Sequence, residues 1–63
     1  KLVFFRRIVA KTDITEGERL TETNIACRRP WPGGIDASYY PLVLGRMIRK
    51  SVKVNDPITW DMV

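Results

Sequence analysis

Three features of the 63-residue chain point to a small, irregular, mainly β domain made of two similar halves. The stretch Ile14-Thr15-Glu16-Gly17-Glu18-Arg19-Leu20-Thr21-Glu22-Thr23-Asn24-Ile25 lies without a gap over Val52-Lys53-Val54-Asn55-Asp56-Pro57-Ile58-Thr59-Trp60-Asp61-Met62-Val63. Apolar residues match in class (Ile14/Val52, Leu20/Ile58, Ile25/Val63), turn residues match (Gly17/Asn55), and Thr21/Thr59 are identical. The apolar runs are short and punctuated by turn formers, with no helical period long enough for a long helix. Between the copies, Pro30, Pro32, Gly33 and Gly34 exclude regular structure, so the connection is a loop. Two β-turn-strand-cap units, neither able to bury its apolar face alone, are expected to share one core about a pseudo-twofold axis.

Each element has a local reason. Residues 1–7 read as a linker and entering strand and residues 8–63 as the domain, with the Phe-, Val- and Ile-rich stretch from Lys1 to Lys11 extended apart from a break at Arg6-Arg7. Gly17 can take the positive φ of a tight turn, after which Leu20 re-enters the core. The Thr21 hydroxyl is expected to cap a single helical turn over Glu22 to Asn24, which Ile25 closes by packing inward. The second copy repeats this with Asn55 at the turn, Pro57 before Ile58, and Thr59 capping the turn that holds Trp60 and Asp61. Asp36 is a candidate N-cap for a short helix from Ala37 to Tyr40, limited by Pro41. Leu42 to Leu44 form one more turn, stopped by Gly45. Met47 to Lys53 reads as a short strand carrying Arg49 and Lys50 outward. The expected core is Val9, Ile14, Leu20, Ile25, Ile35, Leu42, Leu44, Met47, Val52, Ile58 and Met62.

Size and composition narrow the functions. A chain this short buries only about 60% of its unfolded surface, so a deep catalytic cleft is not expected. One cysteine cannot form an internal disulfide, and the absence of histidine excludes a zinc site of the usual Cys/His kind. Cys27 reads as a small, half-buried strand residue. The carboxylates fall mostly at turns and caps, where structural roles suffice, so the isolated domain is not expected to be catalytic. The longest apolar run, Leu2 to Phe5, is far too short to span a bilayer, and no secretory leader is evident. The expectation is a cytoplasmic, soluble fragment of a larger protein, since the chain begins at lysine. Eleven Lys and Arg against seven acids give a formal charge of +4, inviting anionic metabolites, nucleic acid or an acidic neighbouring domain. Nucleic acid is disfavoured, because no aromatic-basic ribonucleoprotein motif, helix-turn-helix spacing or glycine clamp loop is present.

An ordered set of short matches carries a family resemblance. Phe5-Arg6-Arg7, Val9-Ala10-Lys11, Asp13-Ile14, Gly17-Glu18, Leu20-Thr21, Asn24-Ile25, Arg29-Pro30, Gly34-Ile35, Leu44-Gly45 and Ile58-Thr59-Trp60-Asp61-Met62 together resemble the C-terminal antifreeze-like (SAF) domain of sialic acid and other nonulosonic acid synthases. The resemblance runs from Phe5 to Val63, and type III fish antifreeze protein is similar. It implies a β-clip (SAF) fold joined to a TIM-barrel synthase that condenses phosphoenolpyruvate with an N-acetylated amino sugar such as N-acetylmannosamine. The barrel is expected to hold a divalent metal, with no cofactor in this domain. The small domain of one subunit is expected to reach over the barrel mouth of the other in a domain-swapped homodimer, where an arginine of its Arg-Pro loop contacts the sugar's acetamido group.

That arginine falls on Arg29, immediately before Pro30. Its guanidinium offers five donors in a fixed fork, suited to an amide carbonyl or a carboxylate; the plain alternative is a solvated loop charge or an internal salt bridge. Arg28 reads as a surface charge on the opposite face of an extended stretch. Trp31 either stacks on a pyranose face or wedges against the partner barrel, or else lids its own small core. Where the family usually runs Arg-Pro-Gly and one further residue before Gly-Ile or Gly-Leu, Trp31-Pro32-Gly33 intervene here, giving a longer, stiffer loop. Ice binding is not expected, because Glu16, Glu18, Arg19 and Glu22 surround the first turn and hold liquid water. Another host for the same fold, such as a pilus or flagellar assembly chaperone or a sugar-acid dehydratase, is the alternative.

Overall fold

The computed structural model describes residues 6–28 and 33–63. Strand β1 (Arg7–Ala10) pairs antiparallel with β2 (Ile25–Arg28), Val9 opposite Ala26 and Arg7 opposite Arg28. A 3-10 turn (Ala37–Tyr39) leads into a single helical turn, α1 (Tyr40–Val43), and a second 3-10 turn spans Trp60–Met62. The rest is extended chain held by isolated bridges, which agrees with a small β-clip.

The repeat visible in the sequence is also a repeat of hydrogen bonds. On its axis Ile14 and Val52 exchange N–H···O=C bonds in both directions, each 2.9 Å. Equivalent bonds then appear in pairs at the offset that relates those two residues. The Gly17 N–H donates to the Ile48 carbonyl (2.8 Å) and the Asn55 N–H to that of Ala10 (2.8 Å). Leu20 donates to Arg46 (2.8 Å) and Ile58 to Ile8 (3.0 Å), while Ile48 donates to Glu18 (3.0 Å) and Ala10 to Asp56 (2.9 Å). Side chains follow the same rule: the Glu16 N–H donates to Ser51 Oγ (2.9 Å) and the Val54 N–H to Asp13 Oδ1 (2.8 Å). Inside each turn, Thr15 N–H bonds Glu18 Oε1 and Lys53 N–H bonds Asp56 Oδ2. The expected turn residues both have positive φ, 91° at Gly17 and 75° at Asn55. Each arm therefore binds the turn of the other copy, and the symmetry extends upstream of the legible repeat to residues 8–10 and 46–48.

The core consists of Ile8, Val9, Ala10, Ile14, Leu20, Ile25, Ile35, Val43, Ile48, Val52 and Ile58, with Cys27, Tyr40, Met62 and Val63 packed against it. Three expected core residues are exposed: Leu42 (59%), Met47 (54%) and Leu44 (36%). In α1 the inward face is taken by Tyr40 and Val43, three apart, which turns Leu42 to the opposite side. Along the extended 46–48 arm, Ile48 faces inward and Met47 points away from it. Met62 is half-buried rather than internal.

Other local expectations are also corrected. Met47 to Lys53 is not a strand: it bridges Arg19 at Met47 and Ile14 at Val52, with a bend at Arg49-Lys50 where the chain passes between those partners. Pro41 does not end a helix but sits in the first turn of α1, where its missing N–H has no helical partner to lose. The Thr21 hydroxyl does cap its turn, accepting from the Thr23 N–H (3.3 Å), but Asn24 shares the work. Asn24, buried with 6% exposed, accepts from the Thr21 N–H (2.8 Å) and donates to the Arg19 carbonyl (3.0 Å). The Thr59 hydroxyl donates to the Asp61 carboxylate instead of capping a backbone N–H.

Three outcomes follow for urea denaturation. A Cβ at Gly17 would meet nothing within 4 Å, so Gly17→Ala costs only the left-handed backbone, about 1–2 kcal/mol. At Gly34 (φ 85°) a Cβ would also lie 3.0 Å from the Ile8 carbonyl oxygen, so Gly34→Ala destabilises by about 1 kcal/mol more. Asn24→Ala strands the Thr21 N–H and the Arg19 carbonyl and lowers stability by about 2 kcal/mol.

Candidate functional site

The connecting loop leaves β2 at Arg28 and returns at Gly33. Arg29 and Trp31, the residues expected to carry substrate contact, lie outside the described residues, but both feet of their loop are described. The returning foot is tied to both copies of the repeat: the Ile35 N–H donates to the Ile58 carbonyl (2.8 Å), and the Ile35 carbonyl accepts from Ile8 (2.9 Å). Ile35 itself is buried, and the positive φ of Gly34 brings the backbone close against β1. Two residues after Ile35, the Ala37 N–H donates to the Arg6 carbonyl (3.1 Å).

Charge reinforces this stem. Arg7 bridges Asp36 through the backbone, and its Nη1 lies 3.3 Å from Asp36 Oδ1. Asp36 is the N-cap expected from the sequence: its Oδ2 accepts from the Ser38 N–H (3.0 Å) and the Ser38 hydroxyl (2.6 Å). Those two bonds, led by the hydroxyl and helped by Arg7, hold the Asp36 carboxyl below its ordinary pKa. A half-exposed ion pair contributes little stability in water, so its main effect is to fix where Asp36 sits. Arg6 and Arg28 remain exposed at the same stem, giving the loop a basic base.

Cys27 lies next to that base in β2. Burial pushes its thiol pKa up, with Arg6 opposing and Asp36 adding to the rise, which keeps it a thiol near neutral pH rather than a nucleophile. Burial likewise raises the Tyr40 hydroxyl. The Tyr39 and Trp60 rings meet edge to face at 5.5 Å, both about half exposed, and Lys50 Nζ stands 4.0 Å from Asp61 Oδ2. Among the described residues no three acidic or thiol groups gather as a metal site, and no helix is long and apolar enough to cross a membrane. The Arg7–Asp36 brace and the Tyr39–Trp60 pair escaped sequence reasoning. Asp36 stood out as a cap, but nothing local links it to an arginine so far away in sequence.

The comparisons with known proteins agree with this geometry. The SAF domain model matches residues 5–63. The chain belongs to the SAF domain family. Pseudaminic acid synthase of Helicobacter pylori is 38% identical over 58 residues, which span 92% of this chain and 17% of that protein. An uncharacterized protein of Methanocaldococcus jannaschii is 41% identical over 56 residues, 89% of this chain and 16% of that protein. The chain thus spans about a sixth of the length of these curated relatives. Among solved structures, the antifreeze-like domain of human N-acetylneuraminic acid phosphate synthase superposes with a TM-score of 0.87 at 25% identity, covering 94% of this chain and 75% of that one. The spore coat polysaccharide biosynthesis protein spsE of Bacillus subtilis gives 0.86 at 28% identity, covering 95% of this chain and 18% of that one. This SAF domain resembles those of sialic and pseudaminic acid synthases.

Because the Asp36 pKa is depressed in the folded state, its contribution is present at neutral pH and is lost as pH falls below the unfolded carboxyl value and through the folded one. In a carboxyl-carbon NMR titration, Ser38→Ala should raise the Asp36 midpoint toward the ordinary aspartate value. An unmoved midpoint would show that the Ser38 hydroxyl bond does not set it.

Proposed function

We propose that this SAF domain caps the amino-sugar end of the active site of a nonulosonic acid synthase, one that condenses phosphoenolpyruvate with an N-acetylated amino sugar such as N-acetylmannosamine. The observation that carries this reading is the 38% identity to a pseudaminic acid synthase across nearly the whole domain. In this reading the domain reaches over the TIM-barrel mouth of a partner subunit in a homodimer. A divalent metal belongs to that barrel, and this domain supplies neither metal ligands nor an acid-base group.

The work of the domain is to position and to exclude water. Arg29 follows β2 directly in sequence, and the segments that flank residues 29–32 are fixed by β2 on one side and by Ile35, Asp36 and Arg7 on the other. A guanidinium held on a stiff stem loses less freedom on binding than one on a floppy loop, so more of its hydrogen-bond energy goes into orienting the sugar. Its target is the acetamido carbonyl, which accepts from the guanidinium fork. Trp31, in the same loop, offers a flat apolar face to the pyranose or to the barrel rim. Arg6 and Arg28, exposed at the stem, add positive potential toward anionic substrates.

Steady-state kinetics of the full-length protein test this directly. Arg29→Ala should raise the KM for the accepted N-acetylated amino sugar, or lower kcat, by about tenfold or more, the scale of one lost charge-assisted hydrogen bond. The KM for phosphoenolpyruvate should stay nearly unchanged. Wild-type kinetics with every accepted sugar would remove Arg29 from the site.

A further inference from the structure

Two aromatic rings stand outside the core. Tyr39 closes the 3-10 turn before α1 and Trp60 opens the last one, and their rings meet edge to face, centroids 5.5 Å apart and planes at 74°, with about half of each residue in water. Neither ring belongs to the buried cluster, whose members are aliphatic. The turn that carries Trp60 is pinned, because the Arg49 N–H donates to the Met62 carbonyl (2.6 Å) and the Met62 N–H to that of Thr59 (3.0 Å). That register brings Lys50 to Asp61, Nζ 4.0 Å from Oδ2. The Thr59 hydroxyl donates to the other carboxylate oxygen and is the main cause of a pKa below the ordinary aspartate value, so Asp61 is an anion at neutral pH. An aromatic corner therefore stands beside one acceptor and one donor. The first copy shows the position of Trp60 staying open where the chain runs on: Trp60 matches Glu22, and Glu22 is exposed although the residues after it continue into β2.

We propose that Trp60, Tyr39, Asp61 and Lys50 form a shallow saccharide platform, which binds a pyranose whose ring substituents are all equatorial. Such a ring has an apolar C–H face and a rim of hydroxyls, and the four residues match both parts. The half-exposed indole of Trp60 takes the C–H face, and its edge-to-face contact with Tyr39 holds it as a rigid surface that loses little freedom on binding. The Asp61 carboxylate accepts from rim hydroxyls, and the Lys50 ammonium donates to them. Because the ion pair presents both signs side by side, the platform favours a neutral sugar over a free cation or anion. The platform does not depend on the synthase reading, and none of its residues serves the contact given there to Arg29.

Saturation-transfer NMR of the full-length protein tests the proposal with cellotriose, whose glucose rings are all-equatorial and which lacks the acetamido group of the amino sugars considered above. Saturation should reach the ring C–H protons of the probe. Trp60→Leu keeps an apolar side chain but removes the aromatic face and should abolish the transfer, whereas Trp60→Phe should retain it. Asp61→Ala should weaken binding by about tenfold, the scale of one hydrogen bond to a charged group. Three results would overturn the proposal: no transfer to cellotriose in the unmodified protein; transfer that survives Trp60→Leu; or transfer lost with Trp31→Ala and kept with Trp60→Leu, which puts the sugar at the connecting loop.

Discussion

Neither copy of the repeat can satisfy its own backbone, and the whole domain follows from that. The arm of each copy donates to and accepts from the turn of the other, with the reciprocal Ile14–Val52 bonds at the centre and the Asp13 and Ser51 side chains extending the exchange to either side. A buried N–H or C=O left unpaired costs about 1–3 kcal/mol, so separating the copies would expose or strand many such groups at once. Such an interlock favours all-or-none folding, in a chain whose single cysteine rules out an internal disulfide. The same interlock places the apolar residues of both turns against each other, which lets short segments with little regular structure enclose one core.

The segment that follows residues 29–32 is anchored to this frame. Ile35 is bonded to Ile8 and Ile58, one residue from each copy, so the loop's return is anchored to the interlock itself rather than to one flexible arm. The Arg7–Asp36 pair and the Ser38 bonds then fix the first residues after the anchor. On the other side of the connection, β2 pairs antiparallel with β1, so the strand that precedes it is held by the same frame.

The legible parts of the fold were those whose chemistry is local. Gly17 and Asn55 were readable as left-handed turn residues because few residue types tolerate positive φ, and Asp36 as a cap because its carboxylate bonds a backbone two residues away. Within the core, Ile14, Leu20, Ile25, Val52 and Ile58 were fixed by the repeat register. The choice of Val43 over Leu42, and of Ile48 over Met47, was not readable. Adjacent apolar residues in one-turn elements carry too few positions to set a phase, so the neighbouring elements decide which faces inward. Arg29 and Trp31 were singled out through a family resemblance, and the SAF match places the chain in that family without assigning a contact to either residue.

Duplication, turn positions, the irregular connection and the sign of the charge were all written in the chain, since each depends only on residue type and order. Which copy's arm holds which turn, how far upstream the symmetry runs and the brace from Arg7 to Asp36 were decided only in three dimensions. Backbone hydrogen bonds are nearly blind to side-chain identity. A pairing between distant segments therefore leaves almost no mark on the residues that make it, and it becomes visible only once the common core has brought them together.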